Sequence, residues 1–122
     1  MAKKILIVDD EKDILESMEM LIKNIGYEVK TANNGKQALA MLKKESFDLV
    51  LLDILMPQMS GRELLEKIRA DPKLKKQKVA FLSVVCLSES GKDVMKRLKP
   101  IDYFQKPIDV ADFKKRLKGI LK

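Results

Sequence analysis

Three aspartates follow two short apolar runs, and their residue type and position favour metal or phosphate chemistry. Asp9 and Asp10 follow the run Ile5 to Val8, and Asp53 follows the run Leu49 to Leu52. Such runs predict buried strands of a parallel sheet, whose carboxyl ends meet at one edge. Carboxylates gathered there repel by about 4 kcal/mol per pair at about 4 Å and an effective dielectric of about 20. We therefore expect a cation among them, and Mg2+, which prefers oxygen ligands, suits this set.

A hydroxyl and a second cation are expected at the same edge. Ser83 lies in the fourth apolar stretch, Val79 to Val85, and Lys106 follows a short fifth stretch, Tyr103 to Gln105. Taken singly, an Asp after a strand is commonly a helix N-cap, and a Ser commonly satisfies nearby backbone groups. The joint placement of acids, a hydroxyl and a lysine at one rim indicates a phosphate-binding crevice.

Apolar strands alternate with amphipathic helices, which predicts an α/β fold. The first helix has its apolar stripe between Ile14 and Ile25, and Gly26 follows where a left-handed C-terminal residue is expected. Tyr27 to Thr31 alternates apolar and polar residues and predicts an edge strand. Ser60 and Glu63 form a capping box that begins a third helix.

Two more helices are predicted in the last third of the chain. One begins near Ser90 and cannot continue through Pro100, and the final helix has an apolar face made of Val110, Phe113, Leu117, Ile120 and Leu121. With right-handed crossovers, the five βα units predict a doubly wound five-stranded parallel sheet with five helices, a flavodoxin-like three-layer sandwich. The binding crevice of such a sheet lies beyond the carboxyl ends of its strands.

Length and composition restrict the class of protein. The 122 residues predict one domain, 1–122. No apolar run approaches the ~18 residues of a membrane span, and the N-terminus lacks the layout of a signal peptide, so we expect a cytoplasmic protein. The chain has no histidine, which removes the usual general base near neutral pH.

The net charge of +7 is unevenly distributed. From Lys92 onward, ten Lys or Arg residues face four acids, giving +6. This basic third allows an alternative function, a phosphorylation-independent module that binds nucleic acid or an acidic protein, although a solvated lysine-rich surface explains it equally well. A second lysine cluster precedes the fourth strand and is interpreted as a contribution to solubility: Lys73, Lys75, Lys76 and Lys78.

Over its whole length the chain resembles a receiver domain of a two-component response regulator, the phosphoacceptor module of the chemotaxis-regulator fold. The matching residues are the Asp9-Asp10 pair, Asp53-Ile-Leu-Met-Pro57 with Gly61, Ser83, and Tyr103-Phe-Gln-Lys106-Pro107. Ser83 lies thirty residues beyond Asp53, and Lys106 twenty-three beyond Ser83. The resemblance implies the strand order 2-1-3-4-5.

The resemblance also implies roles for these residues. Asp53 is expected to accept a phosphoryl group from a histidine kinase or phosphotransfer protein, with Mg2+ held by Asp10, Asp53 and the backbone carbonyl of Leu55, and by Asp9 directly or through water. Lys106 and Ser83 are expected to contact the phosphoryl oxygens, and the Lys106–Pro107 peptide bond to be cis. Such a protein is a signalling phosphoacceptor and catalyses nothing beyond its own phosphorylation and slow dephosphorylation.

Signalling is expected to involve a switch. In the family a Ser or Thr hydroxyl moves toward the phosphoryl group and an aromatic residue of the fifth strand turns into the vacated space; here these positions are Ser83 and Tyr103. The face formed by the predicted helix near Ser90, the fifth strand and the final helix then changes its preference for a downstream protein. The alternative for Tyr103 is a partly buried ring with its hydroxyl in water.

Two related classes fit the residues less well. A flavin or nucleotide binder should offer hydroxyls and N–H groups in its first loop, whereas Asp9-Asp10-Glu11 would repel a phosphate. An aspartyl phosphohydrolase needs a second Asp two residues after the nucleophile, where this chain has Leu55. Because the chain ends with the final helix, we expect a free-standing receiver or one excised from a longer regulator.

Overall fold

The computed structural model describes residues 3–54, 59–83, 99–105 and 108–121. Its strands are β1 (Lys4–Val8), β2 (Glu28–Ala32), β3 (Leu49–Leu52), β4 (Val79–Ser83) and β5 (Asp102–Gln105). Its helices, numbered in chain order among the described residues, are α1 (Lys12–Ile25), α2 (Gly35–Lys44), α3 (Gly61–Ala70) and α4 (Val110–Ile120). In these ranges no helix combines the length and the apolar character that a membrane crossing requires.

The five strands form one parallel sheet in the order β2-β1-β3-β4-β5. The order expected from the resemblance is confirmed, and so is the edge position of the strand that follows Gly26. In β1 and β3, Val8 is paired with Leu52, so the residues that follow these strands emerge side by side. This register brings the first and third strand ends together at one rim.

Alternate residues of each strand enter two hydrophobic layers. Leu6 and Val8 face the layer that contains α2 and α3, whereas Ile5 and Ile7 face the layer that contains α1 and α4. Because both faces of the sheet are covered, the central strands β1, β3 and β4 are apolar apart from Lys4 and Ser83 at their ends, as their sequences predicted. Each fully buried Leu, Ile or Phe contributes about 1.5–3 kcal/mol to stability, so the core fixes the strand ends firmly.

The helix boundaries follow local chemistry. Gly26 adopts the left-handed conformation (φ 117°) and ends α1, and the N–H of Tyr27 donates to the carbonyl of Ile22 at 3.3 Å, as in a Schellman motif. The side chain of Asn34 accepts the N–H of Gln37 at 2.8 Å and begins α2. The predicted start of α3 is also confirmed, because Ser60 Oγ accepts the N–H of Glu63 at 3.1 Å.

The last two helices predicted from the sequence differ in how the structure describes them. Phe113 and Leu117 of α4 are buried as predicted, but Val110 is 53% exposed, so its assignment to the apolar face was wrong. Val110 is the first residue of the helix, where the chain has not yet turned onto the sheet. The helix predicted near Ser90 lies outside the described residues, which contain four of the five expected helices.

Two arginines connect elements that are distant in sequence. Arg69 of α3 donates to the carbonyls of Lys75, Gln77 and Lys99 at 3.0, 2.7 and 3.1 Å, and burial lowers the pKa of its guanidinium. Arg116 of α4 pairs with Asp102, the first residue of β5. These contacts attach the loop before β4 and the edge strand β5 to the helices that cover the sheet.

Candidate functional site

Backbone hydrogen bonds carry the sheet one residue past the ends of β1 and β3. The N–H of Asp53 donates to the carbonyl of Val8 at 3.0 Å, and the N–H of Asp9 donates to the carbonyl of Ala32 at 3.2 Å. These bonds hold the two aspartates at neighbouring places on the rim. The sequence therefore positions both carboxylates by strand pairing, and a flexible loop is not required to deliver them.

The carboxylates of Asp9, Asp10 and Asp53 form one cluster. One oxygen of each lies within 4.8 Å of an oxygen of the other two. Asp9 and Asp53 are buried, with 2% and 7% of their surface exposed, whereas Asp10 is exposed. Asp9 Oδ1 also accepts the N–H of Glu11 at 3.0 Å, which fixes its orientation at the start of α1. The cluster is thus rigid on its inner side and open to solvent at Asp10.

Gly61 allows α3 to approach the backbone of Asp53 closely. Its N–H donates to the carbonyl of Ile54 at 2.9 Å. A Cβ atom at this position would overlap the backbone carbonyl of Asp53 and lie 2.9 Å from the Cα of Ile54. Because both neighbours are backbone atoms, a side chain here would have to displace the rim itself. Position 61 therefore requires glycine in this chain because there is no space for a side chain.

A second glycine, Gly35, is in close contact with the side chain of Met59, which lies in the loop between β3 and α3. A Cβ atom on Gly35, the first residue of α2, would lie 2.5 Å from the Sδ atom of Met59. Met59 also packs against the hydrophobic layer that contains α2 and α3. The side chain of Met59 thus packs the end of the loop after β3 against the N-terminus of α2.

The cluster suits a hard divalent cation. Carboxylate oxygens are preferred ligands of Mg2+, which keeps several waters and binds through few protein groups. A cation placed among the three oxygens cancels the repulsion of about 4 kcal/mol per pair expected at about 4 Å and an effective dielectric of about 20. The donor set is therefore consistent with Mg2+.

Tyr103 of β5 faces the protein interior. Its hydroxyl oxygen is buried, its ring centroid lies 6.4 Å from that of Phe81, and the ring packs against the layer that contains α2 and α3. The alternative of a ring with its hydroxyl in water is therefore wrong. Burial of the hydroxyl is compatible with a switch residue but does not test that role.

The other predicted site residues cannot be placed in this geometry. Leu55, Lys106 and Pro107 lie outside the described residues, so the backbone ligand, the lysine and the cis peptide bond remain predictions. Ser83 ends β4 beside Gln105 of β5, and its side chain also lies outside what the structure describes.

Some features of the rim were not anticipated from sequence. The contact between Met59 and Gly35 joins residues that have no recognisable pattern in common. The hydrogen bond from Glu11 to Asp9 had a weak signal, because an Asp two residues before a backbone N–H commonly forms an Asx turn.

The chain matches the family model described as the response regulator receiver domain over residues 5–118. Among curated proteins, it is 37% identical over 123 residues to the transcriptional regulatory protein CpxR homolog of Haemophilus influenzae, covering 98% of this chain and 50% of that protein. It is 32% identical over 126 residues to the alkaline phosphatase synthesis transcriptional regulatory protein PhoP of Bacillus subtilis, covering 100% and 50%. The chain thus spans about half the length of these relatives.

Solved structures of response regulators also resemble this chain. The chemotaxis protein CheY4 of Vibrio cholerae superposes with a TM-score of 0.90 at 30% identity, covering 99% of this chain and 100% of that one. The response regulator TrrA of Thermotoga maritima, solved in complex with Mg2+ and BeF, gives a TM-score of 0.85 at 35% identity, covering 98% and 99%. Receiver domains take phosphoryl groups from histidine kinases. On its fold, its rim and these matches, the chain belongs to the response regulator receiver domain family of two-component signalling.

Proposed function

We propose that residues 1–122 act as one receiver domain in which Asp53 is the phosphoacceptor. A carboxylate oxygen of Asp53 attacks the phosphorus of a phosphohistidine on a kinase or phosphotransfer protein. The new O–P bond gives an acyl phosphate, the P–N bond breaks, and its electron pair stays on the imidazole, which then takes up a proton. The convergence of three carboxylates within 4.8 Å at the rim is the observation that carries this proposal.

The rim is proposed to bind Mg2+ through Asp10, Asp53 and the backbone carbonyl of Leu55, with Asp9 contributing directly or through water. When bound, the ion neutralises negative charge on the phosphoryl oxygens and on the carboxylates. The chain's own part is positioning: the ladder bonds of Asp9 and Asp53 and the Asx turn at Glu11 hold the acids before a phosphoryl group arrives. No general base is needed, which fits a chain without histidine.

Lys106 and Ser83 are proposed to bind the remaining phosphoryl oxygens. Lys106 follows β5 directly, and β5 pairs with β4, so both residues come from the ends of adjacent strands. A lysine ammonium and a hydroxyl donate strong hydrogen bonds to phosphoryl oxygens. Self-phosphorylation and slow dephosphorylation are the full extent of the chemistry proposed.

Tyr103 is proposed to report phosphorylation to the outer face of β5 and α4. Its ring occupies the interior beside Phe81, and its backbone carbonyl accepts a hydrogen bond from Arg116 of α4 at 3.0 Å. A shift of the ring is thereby linked to the helix that forms part of the partner face. The phosphoryl group biases two existing states, and an unidentified downstream protein binds one of them better.

The switch is testable without the partner. Mg2+ with beryllofluoride, added to isotope-labelled protein, should shift the amide resonances of α4 in the wild type. With Tyr103→Ala these α4 shifts should largely disappear, while shifts at Asp9 and Asp10 persist. If the α4 shifts are unchanged in the variant, Tyr103 has no switch role.

Phosphorylation itself is tested by intact mass. Incubation with Mg2+ and acetyl phosphate should add one phosphoryl group to the wild type and none to Asp53→Asn. Asp48→Asn is the matched control, since Asp48 precedes β3 at the opposite end of the strand, and it should be phosphorylated normally. A phosphoryl group retained by Asp53→Asn would contradict the assignment. We further propose that the protein acts in the cytoplasm, where its kinase would supply the phosphoryl group.

A further inference from the structure

A wide groove lies at the end of the sheet opposite the acidic rim. It has a volume of about 860 Å3 and is lined by residues at the beginnings of β1, β3 and β4 and at the ends of α2 and α4, among them Lys3, Asp48, Lys78, Lys44 and Leu121. Leu42, Phe47, Leu74 and Leu121 form the floor of the groove, each with 5–9% of its surface exposed. All the lysines of the lining precede Lys92, so they do not belong to the basic C-terminal part considered in the sequence analysis.

The lining contains six lysines: Lys3, Lys43, Lys44, Lys73, Lys76 and Lys78. Part of this charge has an ordinary structural reason, because helix C-termini carry partial negative charge and favour lysine in the last turn. This reason covers Lys43 and Lys44 of α2, and Lys78, whose Nζ donates to the carbonyl of Ile120 at 3.1 Å. Lys3, Lys73 and Lys76 lie outside the helices: Lys3 precedes β1, and Lys73 and Lys76 lie in the loop between α3 and β4.

The lining also contains three acids, and each of them is hydrogen-bonded to a group other than the side chain of a lining lysine. Glu45 pairs with Lys4 at 2.7 Å, and Asp48 accepts the backbone N–H of Lys4 at 2.7 Å. Asp71 accepts the backbone N–H of Lys73 at 2.8 Å. Across the described ranges, none of the six lysines forms an ion pair with a carboxylate. The groove therefore carries a net positive charge of +3, because the three acids offset only half of the charge of its six lysines.

The positions of the six lysines indicate which class of anionic ligand the groove can bind. A compact polyphosphate needs donors that converge on one point, and helix N-termini or arginine forks supply them best. Here the adjoining helix ends are C-termini, and the lysines are spread along the groove. Duplex DNA requires a protruding element that enters a groove of the duplex, whereas this surface is concave and contains apolar floor residues. We propose that the groove binds an acidic, partly apolar peptide segment of a partner protein, independently of Asp53.

The proposal is tested with a fluorescein-labelled peptide of alternating Glu and Leu residues, and with the same peptide carrying Gln for Glu. At low ionic strength the wild type should bind the Glu peptide in an anisotropy titration and bind the Gln peptide much more weakly. Amide resonances of Phe47 and Gln77 should shift on binding, while those of Asp9 and Asp10 stay in place. Lys73→Glu combined with Lys76→Glu should lower the affinity about tenfold.

A charge-matched variant separates this site from general attraction to a basic protein. Lys114→Glu combined with Lys115→Glu changes the net charge equally, and both residues are exposed on α4, outside the groove. This pair should leave the affinity nearly unchanged. Equal losses of affinity in the two double variants would overturn the proposal, and so would amide shifts located away from the groove. The proposal would also be wrong if duplex DNA displaced the peptide and Lys73→Glu with Lys76→Glu abolished the binding of that DNA.

Discussion

The two ends of the parallel sheet carry opposite charge, and they carry it in different arrangements. At the carboxyl ends, three carboxylates converge within 4.8 Å, with two of them buried. At the amino ends, six lysines that form no ion pair within the described ranges surround a groove of about 860 Å3, and the three acids between them are hydrogen-bonded to other groups. Converging charge suits a single small ion, whereas distributed charge suits an extended chain.

The difference follows from how a parallel α/β fold is built. Every strand ends at the same rim, so residues that directly follow strands are brought together by backbone pairing. The opposite end receives helix C-termini and loops, which separate the side chains they carry. The predictions that follow test whether each end behaves as its geometry requires.

The largest effect is expected for Gly61→Ala at the carboxyl end. The added methyl group meets the backbone of Asp53 and Ile54, and overpacking against atoms that cannot rotate away costs about 3 kcal/mol in the free energy of unfolding. Urea denaturation measures this loss. Gly119→Ala is the control, because nothing lies within 4 Å of a Cβ atom there, and in α4 it should stabilise by about 1 kcal/mol. Equal stability of the two variants would refute the close approach of α3 to the rim.

Asp10→Asn should separate stability from metal binding. Without Mg2+, removing one of three like charges should raise the free energy of unfolding by about 1 kcal/mol, since Asp10 is exposed and screened by water. With Mg2+, the affinity should fall about tenfold, or about 1.4 kcal/mol.

Asp48→Asn provides the matching measurement at the amino end. It should leave Mg2+ affinity unchanged and slightly lower stability, because Asp48 lies among lysines. Should both variants change stability in the same direction, the contrast between the two ends would be incorrect.

Lys99→Gly should stabilise the protein by about 1 kcal/mol. Lys99 has φ 53°, a left-handed conformation that costs an L-residue about 1–2 kcal/mol, and the following Pro100 restricts it further. Glycine relieves this strain but adds conformational freedom to the unfolded chain, which offsets part of the gain. Lys114→Gly, in the interior of α4, should instead destabilise by about 1 kcal/mol. Thermal denaturation of both variants checks the opposite signs.

The smallest effect concerns acid pH at the amino end. The hydrogen bond from Lys4 lowers the pKa of the partly exposed Glu45. A lowered folded-state pKa contributes stability above the unfolded-state pKa, and this contribution is lost as the pH falls through the folded-state pKa. The destabilisation of Glu45→Gln relative to wild type should therefore be present at neutral pH and vanish in acid. Glu16→Gln, at an exposed position of α1, is the control variant measured over the same pH range.

The sequence predicted the carboxyl end well because strand pairing acts on short apolar runs. The placement of Asp9 and Asp53 follows from β1 and β3 being neighbours, and the start of α3 follows from Ser60 alone. The groove was not predicted, because its lysines come from three segments that are distant in sequence, and the cluster before β4 was interpreted by itself as a contribution to solubility. The exposure of Val110 was missed because periodicity does not indicate where a helix first meets the sheet.

Arg69 has a kinetic consequence. Its guanidinium donates to carbonyls on both sides of β4, those of Lys75 and Gln77 before the strand and that of Lys99 before β5. Local opening of either segment breaks bonds that also restrain the other. In Arg69→Ala, the hydrogen-exchange rates of backbone amides in both segments should consequently increase. The two segments should also no longer open as one cooperative unit.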